Sequence, residues 1–140
     1  MKTCKYIASG IVVCFILAGC DHMAGSTYIY KNECSTEITI RVVVRKEKLY
    51  VAIPVGESYH DNFSYMSDTP PPPPPSWVGS LLSDSIIVSN GTHYVVHRHI
   101  NNDPLYQEEL YTITENKKYK RTYLWTFRDE DFVGAEPIVP

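Results

Sequence analysis

The sequence has no apolar run long enough to cross a membrane. Its longest, residues 6–17, has twelve residues, whereas a helix that spans a hydrocarbon core of about 30 Å needs about twenty. No Gly-x-Ser-x-Gly or comparable nucleophile motif is present, so we expect no catalytic residues and no enzymatic activity. The sequence also has no excess of positive charge, because 13 Lys and Arg residues face 16 Asp and Glu residues and the formal net charge is −3. A mildly acidic surface of this kind does not attract nucleic acid.

One dense basic run interrupts this acidic background. Residues 117–121 are Lys-Lys-Tyr-Lys-Arg, and a basic run around an aromatic side chain is also found in proteins that bind single-stranded nucleic acid. A single patch on an acidic chain gives little electrostatic steering. We therefore interpret the run as a solvated strand end and expect no nucleic-acid partner.

The first twenty residues have the order of parts found in exported proteins. Lys2 and Lys5 form a short positive segment, the apolar residues 6–17 follow, and small residues lead to Cys20. Because the apolar part is too short to span a membrane, this order predicts a signal peptide and not a membrane helix.

The end of this segment carries a specific motif. Residues 17–20, Leu-Ala-Gly-Cys, resemble the lipobox of bacterial lipoproteins. The resemblance implies cleavage between Gly19 and Cys20, which removes residues 1–19, and a thioether-linked diacylglycerol on Cys20, usually with a further acyl chain on its amino group. Two or more chains anchor a protein stably. We expect a cell-envelope protein held to a membrane by this lipid, with the outer membrane favoured over the inner and the face open.

The predicted anchor also determines how many cysteines remain in the folded part of the chain. Cys4 and Cys14 lie in the predicted leader and Cys20 is the lipid site that the resemblance implies, so one cysteine, Cys34, is expected to remain in the folded part. A single thiol cannot form an intramolecular disulfide. Cys34 is predicted to be a small buried or half-buried residue, with an intermolecular disulfide as the alternative.

Most of the mature chain has the alternation of β-strands. Apolar residues recur at every second position over residues 36–44 and again over 49–55, which predicts an antiparallel hairpin of half-buried strands. Pro54 cannot donate a ladder hydrogen bond, so the second strand is expected at a sheet edge or bulged. Further short strands are predicted at 28–32, 59–65 and 110–114.

The strongest local signal is a second hairpin around Asn90 and Gly91. Residues 84–89 and 92–100 flank this pair, and Asn-Gly suits the two positive-φ positions of a type I′ turn. The two-residue loop pairs Ser89 with Thr92, Val88 with His93, Ile87 with Tyr94, Ile86 with Val95 and Asp84 with His97.

The C-terminal part contributes an aromatic stripe and completes the fold prediction. Tyr119, Tyr123, Trp125 and Phe127 share one parity, which we interpret as a core-facing strand and not a ligand platform. About seven strands without a strong helical period predict an all-β fold, an antiparallel immunoglobulin-like β-sandwich over residues 28–140.

Two segments fall outside this predicted sheet pattern. Residues 20–27 are expected to be a lipidated stalk between the anchor and the sandwich. Residues 70–75 are six consecutive prolines that predict a polyproline II rod. Because strand signals continue on both sides, we expect a stiff polyproline loop at 66–80 inside one domain and not a linker between two.

A group of histidines is the sharpest chemical hypothesis. His93, His97 and His99 share one strand parity, and imidazoles two residues apart can reach one zinc ion at about 2.0–2.1 Å. Asp84, opposite His97 in the predicted register, would orient that ring. The alternative is a set of partly exposed histidines with Asp84 and His97 as an ordinary cross-strand pair. No other cofactor is expected.

Several segments of the chain together carry a wider resemblance. The lipobox and residues 28–32, 53–58, 83–88 and 123–132 are similar to small uncharacterised lipoproteins of the Bacteroidota, a likeness that implies no activity. The leading hypothesis is a non-enzymatic, lipid-anchored module that binds an envelope protein or a glycan through the loops at one end. The alternative is a metal-binding lipoprotein that uses the histidine-bearing strand.

Overall fold

The computed structural model describes residues 23–44, 47–66, 74, 85–99 and 102–139. The predicted signal peptide, the Gly19–Cys20 cleavage site and all of the loop at 66–80 except Met66 and Pro74 lie outside these residues. Within the described part of the chain, no helix has the length and apolar character that a membrane crossing requires.

The described residues form nine strands in two sheets. The first sheet has the order β4-β1-β8-β7 and the second the order β3-β2-β5-β6-β9. The predicted all-β sandwich is confirmed, with nine described strands in place of about seven. The strands are β1 (Met23–Asn32), β2 (Ile38–Val44), β3 (Glu47–Ile53), β4 (Ser58–Met66), β5 (Ser85–Ser89), β6 (His93–His97), β7 (Thr112–Lys117), β8 (Lys120–Phe127) and β9 (Glu136–Pro137).

Strand β1 starts earlier than the sequence predicted. It begins at Met23, and its buried side chains alternate with more exposed ones along its whole length. Ala24 and Ser26 are 1% and 3% exposed, so residues 23–27 belong to the sheet and the predicted stalk at 20–27 is wrong for them. Small side chains fit the inner face at this end of the strand, but they carry no apolar alternation that a sequence pattern would detect.

Aromatic side chains from β1 and β8 form the centre of the core. These two strands run parallel, with Tyr28 beside Tyr123, and the two rings stack with centroids 5.4 Å apart. Tyr123 and Phe127 are buried, and Trp125 packs against the same core, so the core interpretation of the aromatic stripe is confirmed for them. Tyr119 does not belong to the stripe, because it lies in the turn that joins β7 to β8.

The first predicted hairpin is confirmed. Strands β2 and β3 pair antiparallel, with Ile40 opposite Val51, and Ile38, Ile40 and Val42 are at most 2% exposed. Strand β3 is the edge of its sheet and ends just before Pro54, as expected for a residue without a ladder N–H.

The second hairpin forms, but its register differs from the prediction by two residues. Val88 pairs with Val95 and Ile86 with His97, so the residue opposite His97 is not Asp84, which lies outside the described residues. The Asn90 side chain causes the shift: its Oδ1 accepts hydrogen bonds from the backbone N–H groups of Thr92 and His93 at 3.0 and 2.8 Å. Asn90 also lacks the positive φ of a type I′ turn, which Gly91 alone adopts here.

Two other predicted strands are present with different limits. Strand β4 covers the predicted 59–65 and extends it by one residue at each end. The strand predicted at 110–114 begins only at Thr112 and runs to Lys117, because residues Glu108–Leu110 form a 3-10 turn instead.

The buried side chain of Asn32 connects the end of β1 to the other sheet. Its Nδ2 donates to the carbonyl oxygens of Thr36 and Ile53 at 2.9 and 2.8 Å. Its Oδ1 accepts a hydrogen bond from the backbone N–H of Cys34 at 2.8 Å. Asn32 itself is 0% exposed, so these bonds hold the start of β2 and the end of β3 in a setting without competing water. Cys34 is buried, as predicted, with 2% exposure.

Candidate functional site

A largely apolar cleft lies between the two sheets. Its volume is about 210 Å³, which is below the range of roughly 300–1,000 Å³ typical of sites for whole small molecules. We call it the inter-sheet cleft. Its lining residues are Val88, Val95, His97, Asp103, Pro104, Trp125, Phe127, Asp131 and Phe132.

The walls of the inter-sheet cleft come from both sheets. Val88 and Val95 are a cross-strand pair on the inner face of β5 and β6, whereas Trp125 and Phe127 occupy alternate positions on β8. Phe132 closes the cleft from the 3-10 turn Asp129–Phe132 that follows β8. Period-two alternation therefore aims side chains of both sheets into one space.

Aromatic rings make up one side of the cleft. Trp125 and Phe127 meet edge to face with centroids 6.2 Å apart, and Tyr111 supports Trp125 at 5.0 Å. Burial raises the pKa of Tyr111, so its hydroxyl stays neutral and donates to the carbonyl of Leu105 at 2.8 Å. The Nε1 of Trp125 is buried and has no acceptor among the described residues. A buried donor without a partner is destabilising.

The polar edge of the cleft is a paired histidine and aspartate. His97 Nδ1 lies 2.9 Å from Asp103 Oδ1, and the two side chains are 13% and 16% exposed. Asp103 also accepts hydrogen bonds from the backbone N–H groups of Leu105 and Arg98, at 3.0 and 3.1 Å. Both carboxylate oxygens are thus already engaged. The pair fixes the loop after β6, and each Asp103 oxygen already has a donor.

Sequence reasoning missed Asp103, although a local signal was present. Asp103 is the N-cap of the 3-10 turn Pro104–Tyr106, and Pro104 occupies its first position. An aspartate directly before a proline is a common start of a helical turn. Asn102, the preceding residue, has a φ of +56°, which asparagine tolerates better than most residues.

The structure does not bring the three predicted metal ligands together. His93 Nδ1 lies 3.0 Å from the Thr92 hydroxyl, His97 pairs with Asp103, and the His99 ring contacts the edge of Tyr106 at 5.1 Å. The described residues contain no group of three or more histidine, cysteine, aspartate or glutamate side chains placed to hold a metal ion. The metal site therefore stays a prediction without a supporting cluster.

A second, wider depression lies on the outer face of the five-stranded sheet. It has a volume of about 500 Å³, and Arg41, Tyr50 and Tyr94 line it together with residues 137–139 of the C-terminal segment. Tyr94 donates its hydroxyl to the carboxylate of Glu136, and this hydrogen bond raises the pKa of Tyr94. Because the chain's own C-terminal segment forms one wall and the lining is more polar, we favour the inter-sheet cleft.

Comparison with protein-family models finds no match to the chain. Comparisons with curated proteins and with solved structures find no match either.

Proposed function

We propose that this chain is a lipid-anchored, non-enzymatic binding module of the bacterial cell envelope, which holds an apolar side chain of a protein partner in the inter-sheet cleft. The lipobox-like residues 17–20 support the anchor. The observation that supports the binding role is the cleft itself, an aromatic-walled space in which the Asp103 oxygens are already engaged by His97 and by a backbone N–H.

The polarity of the cleft favours a protein side chain over a glycan. A sugar has many hydroxyl groups, and each one buried without a hydrogen-bond partner weakens binding. Asp103 has both oxygens engaged, and Asp131 accepts the backbone N–H of Arg128 at 2.9 Å. An aliphatic or aromatic side chain needs no such partners and gains affinity from the buried area alone.

The position of the cleft suits a protein tethered at its N-terminus. Phe127 pairs with Asn32, the last residue of β1, so this part of the cleft lies toward the end of the strand that is remote from the anchor. A partner would reach the cleft from the side of the sandwich that faces away from the membrane.

Filling the cleft tests the binding role. Val95→Phe adds an aromatic ring to the lining, whereas Val96→Phe adds the same ring to the outer face of the same strand and is the matched control. We expect cross-linking in native cells to join an envelope protein to the wild type and to Val96→Phe but not to Val95→Phe. Identical partners for all three proteins, or no partner for the wild type, would overturn the proposal.

A separate variant tests the anchor. Cys20→Ala removes the sulfur that the lipid requires, so this variant should leave the membrane fraction and should not label with a palmitate analogue. Persistent sedimentation with membranes together with palmitate labelling would contradict the anchor.

A further inference from the structure

One end of the four-stranded sheet carries the densest basic run in the sequence, residues 117–121. Strands β1 and β8 are parallel, and Gly25 pairs with Lys120. The Gly25 N–H donates to the carbonyl of Tyr119 at 2.8 Å, which fixes the β7–β8 turn beside the start of β1. We call Met23, Met66 and residues 117–121 the basic end.

The lysines of the basic end are exposed while their carboxylate partner is partly buried. Lys117 and Lys120 side chains are 72% and 62% exposed, and Glu115, which pairs with both at 2.8 and 3.1 Å, is 25% exposed. Lys118 lies over the ring of Tyr119, 4.7 Å from its centroid. Arg121 pairs with Glu108 and Glu115 offsets one of the three lysines, so an excess of two positive charges remains at this end, on a chain whose overall charge is negative.

Two methionines add apolar surface at the same place. Met23 and Met66 face each other across the β1–β4 ladder, and they are 64% and 65% exposed. Exposed, flexible apolar side chains next to lysines and a tyrosine are the combination that enters the boundary between lipid headgroups and acyl chains.

The opposite end of the sheet is acidic. Glu33 follows β1 and pairs with Lys31 and Arg128, and residues 129–131, Asp-Glu-Asp, follow β8, which leaves an excess of two negative charges. Strand β8 has eight residues, and at about 3.3 Å per residue it separates the two ends by roughly 23 Å. The sandwich therefore has a basic pole at the start of β1 and an acidic pole at its finish.

The chain itself limits how far the basic end can lie from a lipid on Cys20. Two residues, Asp21 and His22, lie between Cys20 and Met23, and the three steps of a fully extended chain cover at most about 3.6 Å each, or roughly 11 Å in all. We propose that the basic end docks on the anionic headgroups of the phospholipid bilayer and so orients the acidic pole and the inter-sheet cleft outward. This inference rests on the proposed lipid anchor.

Vesicle binding without the lipid separates docking from anchoring. The mature chain with Cys20→Ser is mixed with vesicles of phosphatidylcholine, with and without phosphatidylglycerol, and cosedimentation is measured. We expect binding that requires phosphatidylglycerol and falls with salt. Since a lysine near an anionic surface contributes about 1 kcal/mol, replacing Lys117, Lys118 and Lys120 by Gln should weaken binding on the order of a hundredfold.

A control variant removes the same charge elsewhere. Lys31→Gln, Arg41→Gln and Arg128→Gln lie away from the basic end and should leave vesicle binding within about threefold of the parent protein. Far-ultraviolet circular dichroism checks that both triple variants keep the fold. Equal losses in the two variants would overturn the proposal, as would binding that does not depend on phosphatidylglycerol. Binding to a single-stranded oligonucleotide without binding to vesicles would assign the lysines to nucleic acid and also overturn it.

The orientation is measured on the lipidated protein in phosphatidylglycerol vesicles. Acetylation of lysines, followed by mass spectrometry, should slow at Lys117, Lys118 and Lys120 relative to the protein in detergent and stay unchanged at Lys31. Equal rates at all four lysines would contradict docking even if palmitate labelling confirms the anchor. If the Cys20→Ser chain binds vesicles but the wild type takes up no palmitate label, the anchor is contradicted and the docking surface is still supported.

Discussion

Asn32→Asp is the substitution that most directly tests how the two sheets are joined. The aspartate keeps the acceptor for the Cys34 N–H but loses both N–H donors to the carbonyls of Thr36 and Ile53. Each buried carbonyl left without a donor lowers the free energy of unfolding by about 1–3 kcal/mol. A carboxylate facing those two oxygens adds further repulsion, so the expected loss at pH 7 is about 4 kcal/mol or more, a large share of a domain's typical 5–15 kcal/mol.

The loss should depend on pH in a defined direction. Burial opposite carbonyl oxygens disfavours the charged form, so the folded pKa of the new aspartate lies above its unfolded value of about 3.9. The folded state then binds more protons than the unfolded state, and stability falls as pH rises through this interval. The difference from wild type should therefore be smaller at pH 4 than at pH 7.

Urea unfolding of residues 20–140 with Cys20→Ser, followed by tryptophan fluorescence, measures this difference. Asn116→Asp is the matched control, because Asn116 is exposed on β7, and its effect should stay within about 0.5 kcal/mol. If Asn32→Asp stays within about 1 kcal/mol of wild type at pH 7, the bridging role assigned to Asn32 is refuted.

Two further predictions concern the core thiol and the loop after β6. Burial and nearby carboxylates raise the pKa of Cys34 to about 11. The thiolate fraction of Cys34 at pH 8 should therefore be about two hundredfold below that of the unfolded chain. Equal rates of reaction between Cys34 and a disulfide reagent before and after denaturation would contradict this. Asp103→Ala removes the acceptor of the Arg98 and Leu105 N–H groups. This substitution should lower the free energy of unfolding by about 1–3 kcal/mol in urea titrations. The control Glu109→Ala, at an exposed position, should change the free energy of unfolding by less than about 0.5 kcal/mol.

The sandwich could be predicted because burial of one face of a sheet makes apolar and polar residues alternate in the sequence. Ile38, Ile40 and Val42 alternate with polar residues, and β2 buries these three side chains. The start of β1 shows no such alternation, because Ala24 and Ser26 are small and the second is polar. Ala24 and Ser26 fit the inner face because the space there is small, and that space is defined by the packing of the whole sandwich.

The register of the β5–β6 hairpin shows where a local rule failed. Asn-Gly favours a two-residue turn, but the Asn90 side chain bonds two backbone N–H groups further along the chain and widens the turn. The shift of two residues kept every side chain on its predicted face. It changed only the partners, which removed Asp84 from His97.

The candidate site was the least predictable part. Val88 and Phe132 line the same cleft only because the two sheets stack, and no pattern along the chain encodes their proximity. Asp103 had a local signal, the capping of a turn before Pro104, yet its pairing with His97 depends on the path of the intervening loop. Period-two patterns identify strands, whereas a cleft depends on how the sheets are layered.

The parallel pairing of β1 with β8 has a consequence for biogenesis. Every residue of β1 in this ladder pairs with a residue 95 positions later, so the central strand of its sheet stays half-paired until almost the whole chain has been delivered. Contacts of such long sequence separation form slowly, and an exported chain emerges from its N-terminus. The sandwich can therefore close only when nearly the whole chain is available, and in the proposed lipid-anchored form Cys20 would by then already hold the folding chain at the membrane surface.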